Sequence, residues 1–549
     1  MTLNMEYFLL ASTPGWPLLI AVLLALPGLR DRALYLVPFA AVPALLCVLL
    51  TSPDPELSLP WLLLGSNLGM DQISRVFLLS LAILWTVGSI MLPTIRRSYF
   101  CIWFLITMAG SFTVLLAQDI PLFFLSYAVM SLASFGLIIH EHTPEALRAA
   151  KVYIVFAVLG EIVLLTAFLM VAHNAGTLEL EHIVDRTPQD LLIALLMVGF
   201  GIKAGLPLLH LALPPVYASA PLASVVPMAG GLLHLGLYGW MRFLPLGQVA
   251  LPDWSSAFVA IGAFAVFFGV IVGLTQQQAR SLLAYSSISQ TGLMTLAIGI
   301  GLGSPEQWPL VQSVLLLFAF HHALSKGALF LGLGIPGIGR LGLWLPALTL
   351  AGVPFTGGAL GKGMLKAQAY LLPELWSSFS VWVVTMSSMV TTLLMARFLF
   401  LALSKKSHPE PGATIFWWPL LSGLLLLPWI WPLPLAQYSS SWASVWAILL
   451  ASAAAWLVYR GLFARILSFI PTLPPGDLLV LAEKLVQKIH HSPGQSSHSS
   501  NRQEHDAPFQ PLMMPIWITV VEHFLGRWQI AITLLLLVLL GIFWLLALG

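Results

Sequence analysis

The chain has 549 residues, is 59% hydrophobic and 8% charged, and carries a formal net charge of +2. Soluble globular domains hold about 25% charged residues, so this composition excludes a soluble fold and specifies an all-α, polytopic membrane helix bundle. The near-neutral charge gives no reason to expect a nucleic-acid partner. Cys47 and Cys101 lie in or beside apolar runs without CxxC spacing, which implies no disulfide framework, iron–sulfur cluster or cysteine-based zinc site.

Runs of about 20 apolar residues read as spans. The sequence holds roughly 14–16 of them, near 16–29, 33–51, 73–92, 100–117, 120–139, 151–172, 190–209, 222–243, 254–274, 282–302, 310–335, 343–371, 377–403, 416–433, 442–470 and 528–548. Glu6 precedes the first run and no basic cluster does, which is not the pattern of a cleaved signal peptide.

Residues 1–99 read as scaffold, with a short acidic segment around Asp54 and Glu56. From 100 to 403 polar residues recur inside the spans and two spans are broken. One break runs from Gly201 through Lys203, Gly205 and Pro207 to Pro214 and Pro215, and the other from Gly352 through Pro354 and Gly357-Gly358 to Lys362. Proline removes a backbone donor, so each break frees carbonyls that only a neighbouring helix, water or an ion can serve.

The breaks stand five spans apart, an odd spacing that predicts two inverted repeats, 100–244 and 245–403, with a site near the bilayer midplane. Extra spans occupy 404–475. Residues 476–490 have the pattern of an interfacial amphipathic helix, 491–507 are polar and Ser-rich, and 528–549 form a last span. The 476–527 segment is expected to be cytoplasmic.

Loops after odd-numbered spans carry Arg30, Arg32, Arg96, Arg97, Arg148, Lys151, Arg280, Arg340, Lys405 and Lys406, against Arg75, Arg186 and Arg242 after even-numbered ones. The positive-inside rule then puts both termini outward.

Lys203, Lys326 and Lys362 fall within apolar spans. A charge at the bilayer centre costs roughly 2.5–3.5 kcal/mol on insertion scales, so a lysine kept there points to ion movement. Glu161, His210, His234, His321 and His322 accompany them, and Glu161 could partner Lys203. The alternative is a set of buried structural ion pairs or, for single histidines, hydrogen bonds between helices. Lys366 and Arg397 read as side chains whose stems reach the interface.

Other patterns carry less. The stretch Gly332–Gly337 matches GxGxxG but follows an apolar helix and contains Pro336, which suits a span end. His140-Glu141-His142 lacks further metal ligands. No Walker motif, nucleophile elbow or zinc-protease motif occurs, which disfavours ATP-driven transport by this chain, so no cofactor is expected and a transporter subunit suits the chain better than a catalyst in its own right.

The run PLLHLALPPVYASAPLASVVPMAGGLLHLGLYGWMR from Pro207 to Arg242 resembles the antiporter-like subunits of complex I, membrane hydrogenases and Mrp-type antiporters. So do LLAYSSISQTG from Leu282, HALSKGALFLG from His322 and LAGVPFTGGALGK ending at Lys362, collinear over about 68–403. The resemblance implies inverted five-helix repeats, a hydrated ion path, and a place in a bacterial cytoplasmic membrane. Lys203, Lys326 and Lys362 match the family's first broken-helix, central and second broken-helix lysines, and His234 stands where several members have lysine.

There are departures. Tyr127-Ala128 replaces the family's Trp-Glu pair, and Ala212 its tryptophan after the signature histidine. Glu161 stands where the larger complex I subunit has an aspartate, and the C-terminal end looks too short and polar for that subunit's lateral helix. The overall pattern resembles the divergent DabB-type subunits, which implies cation flow, most naturally of protons, driving inorganic-carbon uptake with a zinc-containing DabA-type partner. The other readings are a proton-translocating subunit working with redox subunits in an NADH-quinone oxidoreductase or membrane hydrogenase, and an Mrp-like sodium/proton antiporter subunit.

Overall fold

Prolines, glycines and capping side chains cut the apolar runs into helices. α1 (Leu3–Ala25), α2 (Arg30–Leu34) and α3 (Val42–Leu50) come first. The expected span over 33–51 is divided, because Pro38 opens a 3₁₀ turn at Val37–Phe39 and Pro43 opens α3, and neither proline can donate to a continuous helix. The acidic segment around Glu56 forms an antiparallel hairpin, β1 (Glu56–Leu59) against β2 (Ser66–Gly69), with Glu56 opposite Gly69.

α4 (Gln72–Met91), α5 (Ser98–Leu116), α6 (Ile120–Ile138) and α7 (Pro144–Ala175) follow. Asp71, Asp119 and Thr143 cap α4, α6 and α7, accepting from the backbone N–H of Ser74 (2.8 Å), Leu122 (2.8 Å) and Ala146 (3.1 Å). Asp119 also accepts from Ser66 Oγ at 3.2 Å and Asn67 N–H at 3.0 Å, tying the hairpin to α6.

Both breaks are present. α8 (Asp190–Ala204) stops at Gly205 and the chain restarts as α9 (Leu213–Ser219). α10 (Leu222–Pro227), a π-helical segment at Met228–Leu232 and α11 (His234–Phe243) form the next span. After α12 (Pro252–Leu274), α13 (Ala279–Gly303) and α14 (Trp308–Leu333), the second broken pair is α15 (Trp344–Ala351) and α16 (Gly357–Ala369). α17 (Glu374–Ser404), α18 (Ala413–Ile430) and α19 (Val445–Tyr459) complete the series.

This computed structural model describes residues 3–63, 65–92, 98–182, 189–370, 372–404, 409–410, 412–431, 444–460 and 480. The expected amphipathic helix over 476–490, the polar stretch 491–507 and the span 528–548 lie outside the described residues, apart from residue 480.

Among the described residues ten helices are long and apolar enough to cross a membrane, and the chain is a polytopic helical membrane protein. The expected span 528–548 and residues 461–470 of the span 442–470 lie outside the described residues, and elsewhere the broken pairs and the proline-divided segment yield shorter helices. α13 is long as well, but its middle is polar, with Ser286, Ser287, Ser289, Gln290 and Thr291.

The α10–α11 segment is buried over nearly all its length and α14 from Val314 to Gly332, whereas α1, α7 and α18 expose most of their apolar stretch. α13 is buried from Ser281 to Leu302. The most polar helices are thus the central ones. In lipid, where an unpaired polar group has no water to turn to, this is the arrangement that keeps their polar side chains away from the hydrocarbon. α4, from the segment expected to be scaffold, packs directly against α14 and the π-helical segment.

Candidate ion path

The first broken helix presents a lysine at its end. Gly205 takes a left-handed conformation (φ 74°), stopping α8 one turn after Gly201. Lys203 in that last turn donates to Ser131 Oγ on α6 at 3.0 Å and to Tyr153 OH on α7 at 3.5 Å. Its ammonium lies 5.5 Å from the centre of the Tyr127 ring and 5.7 Å from that of Tyr153, a cation–π cage. Tyr153 OH donates in turn to the Ser131 carbonyl at 3.0 Å.

Glu161 is buried and lines the same cavity of about 70 Å³ as Lys203, Ser131, Tyr127 and Tyr153. The proposed partners therefore meet in one cavity, but the ammonium is taken by hydroxyls. Glu161 Oε2 and Tyr127 OH have no hydrogen-bond partner.

At the centre, α11 and α14 bring two histidines together. His234 Nε2 and His322 Nδ1 are 2.8 Å apart, so one ring donates and the other accepts, and the rings meet edge-on. The π-helical segment just before His234 widens the helix locally and sets which way its ring faces. Lys326, one turn beyond His322, is fully buried and donates to the Leu283 carbonyl of α13 at 2.8 Å, an oxygen that also accepts from Ser287 Oγ at 3.2 Å. His321 Nε2 faces Ser325 Oγ at 3.3 Å, and buried His210 packs its ring against Phe268 and Tyr285.

The second break shows what becomes of freed carbonyls. α15 ends at Gly352, in the left-handed region at φ 91°. Lys362, on α16, folds back and donates to the Leu350 and Ala351 carbonyls at 3.1 Å each. An ammonium there serves two orphan acceptors and sits at the negative end of a helix dipole. The approach depends on Gly358, where a Cβ would stand 1.8 Å from the Thr349 carbonyl oxygen.

Lys366 does not reach an interface. It is 5% exposed and its Nζ donates to Ser444 Oγ at 2.6 Å. Arg397 is half-buried and apart from this line, donating to Gln277 Oε1 at 3.1 Å. Sequence reasoning missed the partners, namely Ser131, Tyr153, Ser287 and Ser444. It also passed over the hydroxyls of Ser281, Ser286 and Ser289 on α13, which are buried without partners. The signal was present in the serine-rich run 281–291, which is unusual inside a span.

Fold and site together define a polytopic helical membrane protein whose central helices hold buried histidines and the buried lysines Lys326 and Lys362, with Lys203 half-buried. Residues 117–340 match the family described as NADH:quinone oxidoreductase/Mrp antiporter, transmembrane region, and Lys203, His234, His322 and Lys326 fall inside that match.

Hydrogenase-4 component B of Escherichia coli (strain K12) is 32% identical over 287 residues, 49% of this chain and 43% of that protein. NADH-quinone oxidoreductase subunit M of the same strain is 28% identical over 374 residues, 61% of this chain and 72% of that one. The chain thus spans less than half the length of the first relative and about three quarters of the second. A chain in the structure of the membrane-bound sulfane sulfur reductase, an archaeal respiratory membrane complex, superposes with a TM-score of 0.67 at 22% identity, covering 96% of this chain and 100% of that chain, which establishes the likeness of fold.

Proposed function

We propose that this chain is the proton-conducting membrane subunit of a larger energy-coupled complex. The observation that carries the proposal is the series of half-buried Lys203 and buried His234–His322, Lys326 and Lys362, two of whose lysines lie at helix breaks. Neutral lysine and histidine side chains bind and release protons, whereas hard metal cations are held by cages of oxygen ligands. The series is mainly nitrogen bases, and Glu161 is its one carboxylate. Unpartnered buried polar atoms along it, among them His234 Nδ1, His322 Nε2 and Ser286 Oγ, are of the kind that ordered water serves in protein interiors.

In this reading residues 100–244 and 245–403 act as two related half-paths that join at the histidine pair, His210 lies beside the second, and the protein sits in a bacterial cytoplasmic membrane with both termini outward. The finer assignment is inorganic-carbon uptake with a zinc-containing DabA-type partner, to which proton flow is coupled. It is supported by the overall pattern of departures, among them Tyr127-Ala128, where the family's acid that pairs with the first lysine is missing.

The likeness to hydrogenase-4 component B and to subunit M favours a second reading, in which redox subunits are the partners. Purifying the tagged chain from its native membrane and identifying what accompanies it at equal stoichiometry decides between them. A zinc protein supports the first and flavin, iron–sulfur or nickel–iron subunits support the second. Lys203→Ala should abolish proton flux in reconstituted vesicles with the complex intact, and undiminished flux would refute the conducting role.

A further inference from the structure

We propose that Lys366 and Ser444 form a further leg of the path, carrying protons on from Lys362 and making α19 part of the conducting machinery. The inference rests on the proton-conducting reading above.

Lys366 follows Lys362 by four residues, so both occupy one face of α16, on the order of 6 Å apart along its axis. Both are buried, at 2% and 5% exposure. A lysine in the last turn of a helix can extend its stem to water at little cost. Lys366 instead turns inward to a single hydroxyl, and among the described residues no carboxylate pairs with it. A buried ammonium held by one serine is poor structural economy in a membrane.

Ser444 is itself 5% exposed and is the N-cap residue of α19. The surroundings are polar: Gln368 Oε1 on α16 and the hydroxyls of Ser380 and Ser388 on α17 are buried without partners. α17 packs against both α16 and α19, and Ser388 Oγ and Lys362 Nζ both lie close to the Gly352 position, at 3.4 and 3.6 Å from where its Cβ would stand.

Two ammonium groups one helical turn apart disfavour each other, which suits sequential occupancy. Neutral Lys366 takes up the proton leaving Lys362. Its ammonium then gives a proton to a lone pair of Ser444 Oγ as that hydroxyl releases its own proton to a hydrogen-bonded water molecule, which becomes the carrier of the charge. Each side chain returns to its starting form and one positive charge has advanced.

The test uses the complete complex in phosphatidylethanolamine/phosphatidylglycerol vesicles, with a potassium diffusion potential imposed by valinomycin and an internal pH dye. Lys366→Met should lower proton flux at least tenfold. Lys366→Arg should fail to restore it, because a guanidinium keeps the charge and the hydrogen bond but cannot release a proton. Flux within twofold of the parent in Lys366→Met, or recovery in Lys366→Arg, would overturn the proposal by showing a structural role or none.

If Lys366→Met does not assemble, Ser444→Ala carries the test, with at least a threefold loss expected and unchanged flux overturning the proposal. Lys203→Ala runs alongside. If it conducts normally the conducting reading itself fails, whereas a blocked Lys203→Ala beside a normal Lys366→Met removes only the present inference.

Discussion

Lys362→Met removes an ammonium while keeping most of the stem, and its consequences for stability and for transport should separate. Lys362 Nζ makes two hydrogen bonds, to the Leu350 and Ala351 carbonyls. A bond from a charged donor contributes about 1.5–3 kcal/mol, so about 3–6 kcal/mol is lost. Against this, an ammonium no longer has to be held within the membrane, a saving of roughly 2.5–3.5 kcal/mol. The net effect then runs from about 0.5 kcal/mol of stabilisation to about 3.5 kcal/mol of destabilisation, and the protein should still insert and assemble. Proton flux should nevertheless fall at least tenfold, since methionine binds no proton. Thermal unfolding in detergent and flux in vesicles, measured on the same preparation, test both halves. A folded variant that conducts at the parental rate would refute the role of Lys362, and a variant several kcal/mol more stable than the parent would refute the two carbonyl bonds.

The histidine pair should behave as a unit: His234→Ala and His322→Ala should each lower flux, and the double variant should be no worse than the weaker single, because each strands its partner across a 2.8 Å contact. Multiplicative losses in that cycle would show two independent roles. At the mouth of α4, Arg242 grips Asp71 with two bonds of 2.7 Å. Burial pushes the Asp71 carboxyl upward, but the Arg242 guanidinium and Ser74 outweigh it and hold the group below the usual carboxylate range. Its contribution is therefore present above about pH 4 and lost as pH falls through the lowered folded value, and Asp71→Asn should flatten that part of an acid-stability curve. Gly358→Ala should prevent assembly, given the 1.8 Å approach to the Thr349 oxygen, whereas Gly423→Ala, whose added Cβ meets its nearest atom at 3.8 Å, should be tolerated. Equal yields of the two would disprove the tight seating of α16.

The positions of the breaks could be read from glycine and proline, and so could the need for something to serve the freed carbonyls. That Lys362 does so was within reach, since it lies only one short helix segment beyond the break. The partners of Lys203 were not legible, because Ser131 and Tyr153 stand 72 and 50 residues away and serine and tyrosine inside a span look like ordinary interhelical packing. The contact between His234 and His322 depends on a π-helical segment whose extra residue per turn has no signature beyond the Gly230-Gly231 pair. Lys366 was misjudged for a related reason. Distance from a span end says whether a stem can reach water, but only the fold says whether a buried hydroxyl such as Ser444 offers a nearer partner.

The departure at Tyr127-Ala128 acquires a physical meaning in this arrangement. Ala128 and Ser131 lie one turn apart on α6, and Ser131 is the residue that receives Lys203 at 3.0 Å. An acid at 128 would stand on the helix that holds the lysine's hydroxyl partner. In this chain the acid in the cavity is Glu161, on α7, which lines the same cavity as Lys203. A charged pair in direct contact in a low-dielectric cavity is held tightly and gives up its proton reluctantly. An acid and a lysine that share a cavity with the hydroxyls of Ser131 and Tyr153, both able to donate and accept, have a route for proton exchange that does not need a direct ion pair. On the proton-conducting proposal, the change of helix leaves the first half-path a hydroxyl relay in place of a direct ion pair.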